Sequence, residues 1–444
     1  MEPVIFTLTN GLRVIFINTE AFPTLTTLLL IGAGSRYENK KNNGVAHFFE
    51  HMAFKGSNKY PNSFVISSTI EALGGVFNAY TSKDHTGYWI KGLNEDFETI
   101  VDVLSDMILN PLLLSEEIER EKGVIAEEIN MYEDTPYRKV GELFETLLYE
   151  GTSLGFDIAG TKETISSFDK NTFVEYMKKL YHPKNAVLVV AGGFKNYFPE
   201  VVSVPNGKKS KKNDVFKYYL DIVEKRFLPW SAGSKIVPTE VQEAQSNPQI
   251  RTKYKKTEQA HVCLGFRTFS YFDSRKYVLS ILSTILGGGM SSRLFMEVRE
   301  RRGLCYYIST GRELYSDVGN VVTQAGITNS TDKVKEALKV IWGEHLRMAK
   351  GDVKDEEISK AKEAIKGRLF LSMEDSFNVA SFYGNKKLLE EKVESPEQIV
   401  RRIEAVTKDE VISLAKQIFV PQKLNVAIIG PFEEREIKIA DIIS

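Results

Sequence analysis

A weak internal repeat constrains the fold of this chain more than any other feature of its sequence. Residues 181–194 can be laid over residues 419–432, which aligns Pro183, Gly192 and Phe194 with Pro421, Gly430 and Phe432. Each copy follows a stretch of helical period and runs into a short apolar strand that ends at a glycine. Such internal similarity indicates one domain made twice.

Both halves of the chain alternate between strand-like and helix-like patterns. Apolar runs of strand length occur at residues 23–31, 187–192 and 261–266, and longer amphipathic stretches separate them. A hairpin signal at residues 76–90 favours antiparallel pairing over a doubly wound parallel sheet. The sequence therefore predicts an α+β fold of two similar domains, each an antiparallel sheet flanked by helices.

The region between the two copies loosens into polar and basic sequence. A chain of 444 residues suits two domains better than one. We predict a first domain at residues 1–215, a linker at 216–250 and a second domain at 251–444. The basic cluster near the linker consists of Lys208, Lys209, Lys211 and Lys212. No aromatic or glycine framework accompanies it, so we interpret it as a solvated loop without an assigned function.

Composition excludes several classes of partner. The chain has 58 basic and 59 acidic side chains, so no global field favours nucleic acid or an anionic membrane. No apolar run is long enough to span a bilayer, and the first residues lack the basic and apolar pattern of a signal peptide. Cys263 and Cys305 lie in strand-like apolar runs, which suits buried free thiols. We therefore expect a cytoplasmic protein with no nucleic-acid or membrane partner.

Two of the six histidines stand one helical turn apart in the segment His47-Phe-Phe-Glu50-His51. Residues 42–44 form a capping start for this segment, and Gly56 forms its stop. In a helix His47, Glu50 and His51 share one face, so both imidazoles can bind a single cation. A catalytic zinc site normally takes a third ligand from elsewhere in the fold and leaves the fourth position to water.

The carboxylate-rich residues 115–133 are the natural source of that third ligand, and they read as a helix started by Ser115. The apolar stripe of this helix is Ile118, Ile125, Ile129 and Tyr132. Glu121 and Glu128 fall on the edge of the stripe, whereas Glu127 faces water. The geometry selects Glu128 as the ligand. The competing interpretation is that all of these glutamates are solvated helix carboxylates, which is the usual fate of a glutamate.

Glu50 lies on the face of the two imidazoles without being needed as a ligand, which suits a general base. Two histidines and one carboxylate could instead hold iron for oxygen chemistry. The additional polar group at this helical spacing favours hydrolysis over that alternative.

Several motifs together resemble a known family. The segment at 47–51 is followed by residues 73–82 (LGGVFNAYTS), by Glu121 and Glu128, by residues 286–295 (LGGGMSSRLF) and by residues 299–306 (RERRGLCY). In this order they resemble the insulinase or pitrilysin family of zinc peptidases with the inverted motif His-x-x-Glu-His. The resemblance covers nearly the whole chain, and the chain length resembles that of the half-size, processing-peptidase-like branch.

The resemblance implies a role for each matching residue. It implies one zinc ion per chain, bound by His47, His51 and Glu128, with Glu50 as the base and Glu121 as a secondary group of the catalytic site. It places Asn78 and Ala79 on an edge strand, to which the substrate peptide adds as a further strand. It places Arg299 and Tyr306, from the second half, against the substrate and the tetrahedral intermediate.

The resemblance also implies an assembly and an activity. Four such domains form a closed chamber, which in the half-size branch requires two chains and here predicts a homodimer that cleaves short or unstructured peptides. One alternative is a non-catalytic scaffold subunit of the same family, against which the intact zinc motif counts. Another is a processing peptidase that depends on a distinct glycine-loop partner. The Arg299 and Tyr306 pair and the expected lack of a leader count against it.

Overall fold

A computed structural model describes residues 2–195, 214–390 and 392–443 of the chain. The basic cluster at residues 208–212 lies outside these described residues. The chain divides into two compact units, each assembled from three segments. Unit 1 comprises Met1–Glu127, Asp157–Pro238 and Leu371–Ser395, and unit 2 comprises Glu128–Phe156, Thr239–Phe370 and Pro396–Ser444. The predicted α+β class with two similar domains is confirmed.

Each unit contains one β-sheet. The sheet of unit 1 has the order β1-β2-β6-β3-β5-β4, with β1 (Val4–Thr7), β2 (Arg13–Asn18), β3 (Thr24–Ile31), β4 (Val76–Thr81), β5 (Thr86–Leu93) and β6 (Ala186–Gly192). The sheet of unit 2 has the order β7-β11-β8-β10-β9, with β7 (Gln249–Tyr254), β8 (Gln259–Phe269), β9 (Cys305–Leu314), β10 (Val318–Thr328) and β11 (Asn425–Gly430). Apart from β1, the two strand orders are equivalent.

The sheets are mixed rather than purely antiparallel. Strand β6 pairs in parallel with β2, and β11 pairs in parallel with β7, while the other pairs among the described strands are antiparallel. The prediction of antiparallel sheets is wrong for these two pairs. Both strands return to their sheet after long helical excursions, and such connections permit a parallel neighbour that a hairpin cannot reach. Strands β6 and β11 are the apolar strands of the two repeat copies. They hold equivalent positions in their sheets, and each has one parallel neighbour, so the topology confirms the repeat.

The helices flank the sheets. In chain order they are α1 (Val45–Ala53), α2 (Ser63–Ala72), α3 (Phe97–Leu109), α4 (Ser115–Glu133), α5 (Pro136–Leu148), α6 (Lys162–Ser166), α7 (Lys170–Leu180), α8 (Asp214–Phe227), α9 (Lys276–Gly287), α10 (Thr331–Ala349), α11 (Asp355–Ser372), α12 (Ser376–Asn385), α13 (Pro396–Ala405), α14 (Lys408–Ile418) and α15 (Ile439–Ile443). In each repeat copy a helix, α7 or α14, leads through a short 3₁₀ turn that begins at proline into β6 or β11.

The units exchange helices relative to the order of the chain. Helix α5 precedes β6 in sequence but packs on β8 and β11 of unit 2, whereas α12 follows β10 but packs on β3 and β6 of unit 1. The sequence predicted domains that are continuous in the chain, at residues 1–215 and 251–444 with a linker at 216–250. A continuous division does not include an exchange of helices. The predicted linker also overlaps α8, which packs on α3 in unit 1. An amphipathic pattern shows that a helix has an apolar face but not which sheet that face covers.

The core of each unit includes the strand of its repeat copy. Every residue of β6 and of β11 is buried. Cys263 and Cys305 are both buried free thiols, as predicted. In the part of the chain that the structure describes, no helix is both long enough and apolar enough to cross a membrane.

Candidate functional site

Helix α1 is fixed by its apolar face and presents its polar face to the site. Phe48 packs edge to face on Phe173, with ring centroids 5.1 Å apart, and Phe49 packs on Tyr181 at 4.8 Å. The opposite face carries the polar residues of the motif. Its members are His47, which is buried, and Glu50 and His51, which are half-buried. The two imidazole centroids lie 4.7 Å apart, as expected for residues one turn apart.

Helix α4 supplies the carboxylates. Glu121 is buried, Glu128 is half-buried and Glu127 is exposed, which agrees with the helical periodicity of the sequence. About two helical turns separate Glu121 from Glu128, so both side chains point to the same side of one continuous helix.

Glu121 orients one of the two histidines. Its Oε1 lies 2.8 Å from Nδ1 of His51, and its Oε2 lies 2.5 Å from Nζ of Lys55. Burial opposes the ionisation of Glu121, but the hydrogen bonds from His51 and Lys55 outweigh burial and lower its pKa. An ionised carboxylate only accepts hydrogen bonds, so Nδ1 of His51 carries the proton and Nε2 keeps its lone pair for a metal.

The donor set fits a zinc ion. His47, His51 and Glu128 each offer one ligand atom, and these atoms all lie within 4.8 Å of one another. Ligand atoms of a tetrahedral zinc site are about 3.3 Å apart, so modest side-chain rotations complete the arrangement. No other group of three such ligands is found among the residues described. Two imidazoles and one carboxylate also match the ligand types of catalytic zinc sites with an open fourth position.

Tyr132 holds the third ligand in place. Its hydroxyl donates to Oε1 of Glu128 at 2.8 Å. Burial and the neighbouring Glu128 carboxylate raise the pKa of Tyr132 to about 12, so the hydroxyl keeps its proton near neutral pH. The helical period of the sequence places Tyr132 in the apolar stripe of α4 and does not indicate this hydrogen bond.

Glu50 has a fixed orientation. The hydroxyl of Thr81, at the end of β4, donates to Oε2 of Glu50 at 2.5 Å. This contact leaves Oε1 of Glu50 available to a water or substrate. The sequence does not predict the role of Thr81, because nothing in the local pattern of a strand indicates which helix its last residue contacts.

Asn78 and Ala79 lie on β4, which ends the strand order of the first sheet. They pair with Trp89 and Tyr88 of β5, so the opposite edge of β4 faces away from the sheet. Asn78 is exposed. The structure thus places both residues on an edge strand, and their role in peptide binding stays a prediction.

Arg299 and Tyr306 lie together in unit 2. Arg299 belongs to a π-helical turn at Phe295–Glu300, and its guanidinium carbon is 5.7 Å from the centre of the Tyr306 ring. Tyr306 is on β9, an edge strand of the second sheet, and is 73% exposed. Their role in catalysis stays a prediction.

The start of α1 lies within the predicted residues 42–44. Its N-cap is Gly44, which has no side chain to accept a hydrogen bond. The carboxylate of Glu38 accepts the backbone N–H groups instead, at 2.8 Å from Gly44 and 2.8 Å from Ala46. Five residues of irregular chain separate Glu38 from Gly44, and no periodic signal in the sequence identifies Glu38 as the capping residue.

Replacing both His47 and His51 by alanine should abolish zinc binding, whereas the wild-type chain should hold about one zinc ion. Two of the three ligands disappear in this variant, and the remaining carboxylate alone cannot retain the ion. Metal analysis of the purified proteins measures the effect. A His182→Ala, His261→Ala variant removes as many imidazoles elsewhere and should keep its zinc. Full zinc content in the first variant would place the metal at a different site.

Two family models match successive regions of the chain. Residues 13–162 match the family model described as insulinase (peptidase family M16). Residues 167–365 match the model described as the peptidase M16 inactive domain. The possible metal ligands His47, His51 and Glu128 all lie in the first of these two regions. Arg299 and Tyr306 lie in the second.

Curated relatives match along nearly their whole length. The chain is 34% identical over 428 residues to the uncharacterized zinc protease YmxG of Bacillus subtilis, covering 96% of this chain and 98% of that protein. It is 32% identical to an uncharacterized zinc protease of Streptomyces coelicolor, covering 97% of this chain and 90% of that protein. The fold matches the crystal structure of a protease from Helicobacter pylori with a TM-score of 0.85, 20% identity and coverage of 97% and 99%. The chain therefore belongs to the insulinase family, peptidase family M16.

Proposed function

We propose that this protein is a zinc-dependent endopeptidase that cleaves short or unstructured peptides. The observation that carries the proposal is the convergence of His47, His51 and Glu128, together with a carboxylate of Glu50 that is oriented but not needed as a ligand. The names of the curated relatives support a zinc protease in general. The substrate class, the chamber and the assembly belong to the proposal.

Neighbouring side chains orient two of the three ligands without a bound metal. Glu121 fixes the tautomer of His51, and Tyr132 fixes one oxygen of Glu128. A bound zinc ion would supply Lewis acidity, which polarises a peptide carbonyl and makes a water molecule easier to deprotonate.

Glu50 moves the proton. Its Oε1 accepts a proton from the attacking water as the bond between the water oxygen and the carbonyl carbon forms. The same oxygen then delivers this proton to the amide nitrogen as the C–N bond breaks, so the carboxylate returns to its starting state. Thr81 keeps the other oxygen of Glu50 in place during both transfers.

The substrate binds as an added strand on β4. Backbone hydrogen bonds along the open edge of β4, at the level of Asn78 and Ala79, would hold an extended peptide and tolerate varied side chains. Arg299 and Tyr306 would contact the substrate and stabilise the negative charge that develops on the carbonyl oxygen. A folded protein offers no free extended segment, so only short or unstructured chains would be cleaved.

The active assembly is a homodimer. The near-complete coverage of both this chain and its curated relatives supports a half-size unit, and this one chain carries both the zinc-type ligands and the Arg299 and Tyr306 pair. Two copies would enclose one chamber with two equivalent sites. The two buried free thiols support a reducing compartment, and we assign the protein to the cytoplasm.

A quenched fluorescent peptide without secondary structure tests the activity. The purified protein should cleave it, should lose this activity with a zinc chelator and should regain it when zinc is restored. The same sequence embedded in a stable folded domain is the control and should stay intact. If the protein holds zinc but cleaves no unstructured peptide, it is instead a non-catalytic scaffold subunit. The match of residues 167–365 to the inactive-domain model is the observation that favours this alternative.

A further inference from the structure

The N-terminus of α1 is capped by a side chain from outside the helix. The first N–H groups of any helix have no partner within it. Here the N–H of Val45 donates to the Asn42 carbonyl at 3.1 Å, and Gly44 and Ala46 donate to the two oxygens of Glu38 at 2.8 Å each. A negative charge at this end of a helix is also favoured by the helix dipole.

Glu38 is itself held firmly. It is 6% exposed, and the amide of Asn43 donates to its Oε2 at 2.9 Å and to the Asp157 carbonyl at 2.8 Å. Burial raises the pKa of Glu38 to about 8, and the hydrogen bonds from Ala46, Asn43 and Gly44 act in the opposite direction. Three N–H donors thus contact the two oxygens of Glu38, and because an N–H group cannot accept a proton from a neutral carboxyl, this geometry favours the ionised form.

Two glycines lock the neighbouring loop against the same helix end. A Cβ on Gly44 would lie 2.7 Å from the Ala159 carbonyl oxygen, and a Cβ on Gly160 would lie 2.5 Å from the Asn43 carbonyl oxygen. Both glycines also have positive φ angles, of 97° and 77°. The start of α1 thus has little freedom to shift along its axis or to unwind.

The segment that carries Glu38 is also attached to the strand turn beside the predicted base. The N–H of Arg36 donates to the Lys83 carbonyl at 3.0 Å, and its guanidinium pairs with Asp84 at 3.5 Å. This turn directly follows Thr81, whose hydroxyl holds Glu50. One short segment therefore contacts both the helix that carries the histidines and the turn that follows the partner of Glu50.

We propose that Glu38 is a positioning residue for the metal site. Its carboxylate sets where α1 begins, and through the helix it sets the placement of the His47 and His51 rings relative to Glu128. The inference rests on the proposed function for its catalytic consequence, whereas its effect on metal binding is independent of activity.

Glu38→Gln tests the proposal with little change in volume. Glutamine keeps one acceptor oxygen, but its NH₂ group faces a backbone N–H, so one buried donor loses its partner. We expect the affinity for zinc to fall about 10- to 100-fold, as for other residues that orient metal ligands. The visible spectrum of the cobalt-substituted protein should change, and kcat should fall while KM changes little. Glu38→Asp keeps both oxygens on a shorter side chain and should recover part of the zinc affinity.

Asp375→Asn is the matched control. Asp375 also caps a helix of unit 1, accepting from the N–H groups of Phe377 and Asn378 at 2.8 and 3.1 Å, but that helix, α12, carries no ligand. The control should lose stability and keep the zinc affinity and cobalt spectrum of the wild type. An unchanged affinity and spectrum in folded Glu38→Gln, or an equal loss in Asp375→Asn, would overturn the proposal.

Asn43→Ala covers the case in which Glu38→Gln does not fold. It removes one donor to Glu38 and should lower zinc affinity in the same direction by a smaller factor, and a wild-type affinity there would overturn the proposal. If the wild-type protein binds zinc but cleaves no peptide, the proposed function fails, and the zinc affinities still decide the role of Glu38.

Discussion

Glu50→Gln should keep the zinc content of the wild type and lose about 10²- to 10⁴-fold in kcat, the range typical of a missing general base. The amide has the same shape, and its oxygen can still accept the hydrogen bond from Thr81. What it cannot do is take a proton from water. KM for a peptide should therefore stay close to the wild-type value, because the loss lies in the transition state.

Glu128→Gln should behave differently, since it replaces an anionic ligand by a neutral one. Its zinc affinity should fall, and its activity should return in part when excess zinc is added. Glu127→Gln is the matched control, because it makes the same chemical change on the neighbouring, exposed position of α4. Its kinetics and zinc affinity should stay within about twofold of the wild type, as for other exposed positions.

Competition with a chromophoric chelator and steady-state kinetics measure both quantities. Equal zinc loss in Glu50→Gln and Glu128→Gln would show that base and ligand have been confused. Damage in Glu127→Gln as large as in Glu128→Gln would contradict the register of α4.

Two inactive variants should restore activity when they are mixed. Glu50→Gln lacks the base, and an Arg299→Ala, Tyr306→Phe variant lacks the groups predicted to stabilise the intermediate, so each alone should be strongly impaired. In the proposed homodimer each site uses Glu50 of one chain and Tyr306 of the other. With free exchange at equal amounts, half the dimers are mixed and each has one complete site, so activity should return to roughly a quarter of the wild type.

The complementation has its own control. Mixing Glu50→Gln with Glu128→Gln should give no such rescue. Glu50 and Glu128 belong to the same metal-binding part of a site, so each site of a mixed dimer lacks one of them. Exchange is monitored by co-purification of differently tagged chains. If chains exchange and the first mixture stays inactive, Arg299 and Tyr306 either act within their own chain or have no part in catalysis.

Features that repeat along the chain were predictable from the sequence. The similarity of residues 181–194 and 419–432 predicted two related domains, and β6 and β11 occupy equivalent positions in their sheets. Helical periodicity separated exposed Glu127 from half-buried Glu128 and placed Glu50 on the face of His47 and His51. Periodicity is a local property, because the backbone geometry of a helix or strand fixes which neighbours in sequence share a face.

Contacts between distant elements were decided only by the tertiary structure. The sequence did not show that α5 and α12 exchange units, that β6 and β11 each have a parallel neighbour, or that Thr81 and Glu38 hold the base and the ligand helix. Each of these contacts joins residues whose spacing in the sequence matches neither the helical nor the strand period. Which sheet a helix covers, and which backbone N–H a buried carboxylate accepts, depends on how the whole chain packs and satisfies its buried polar groups.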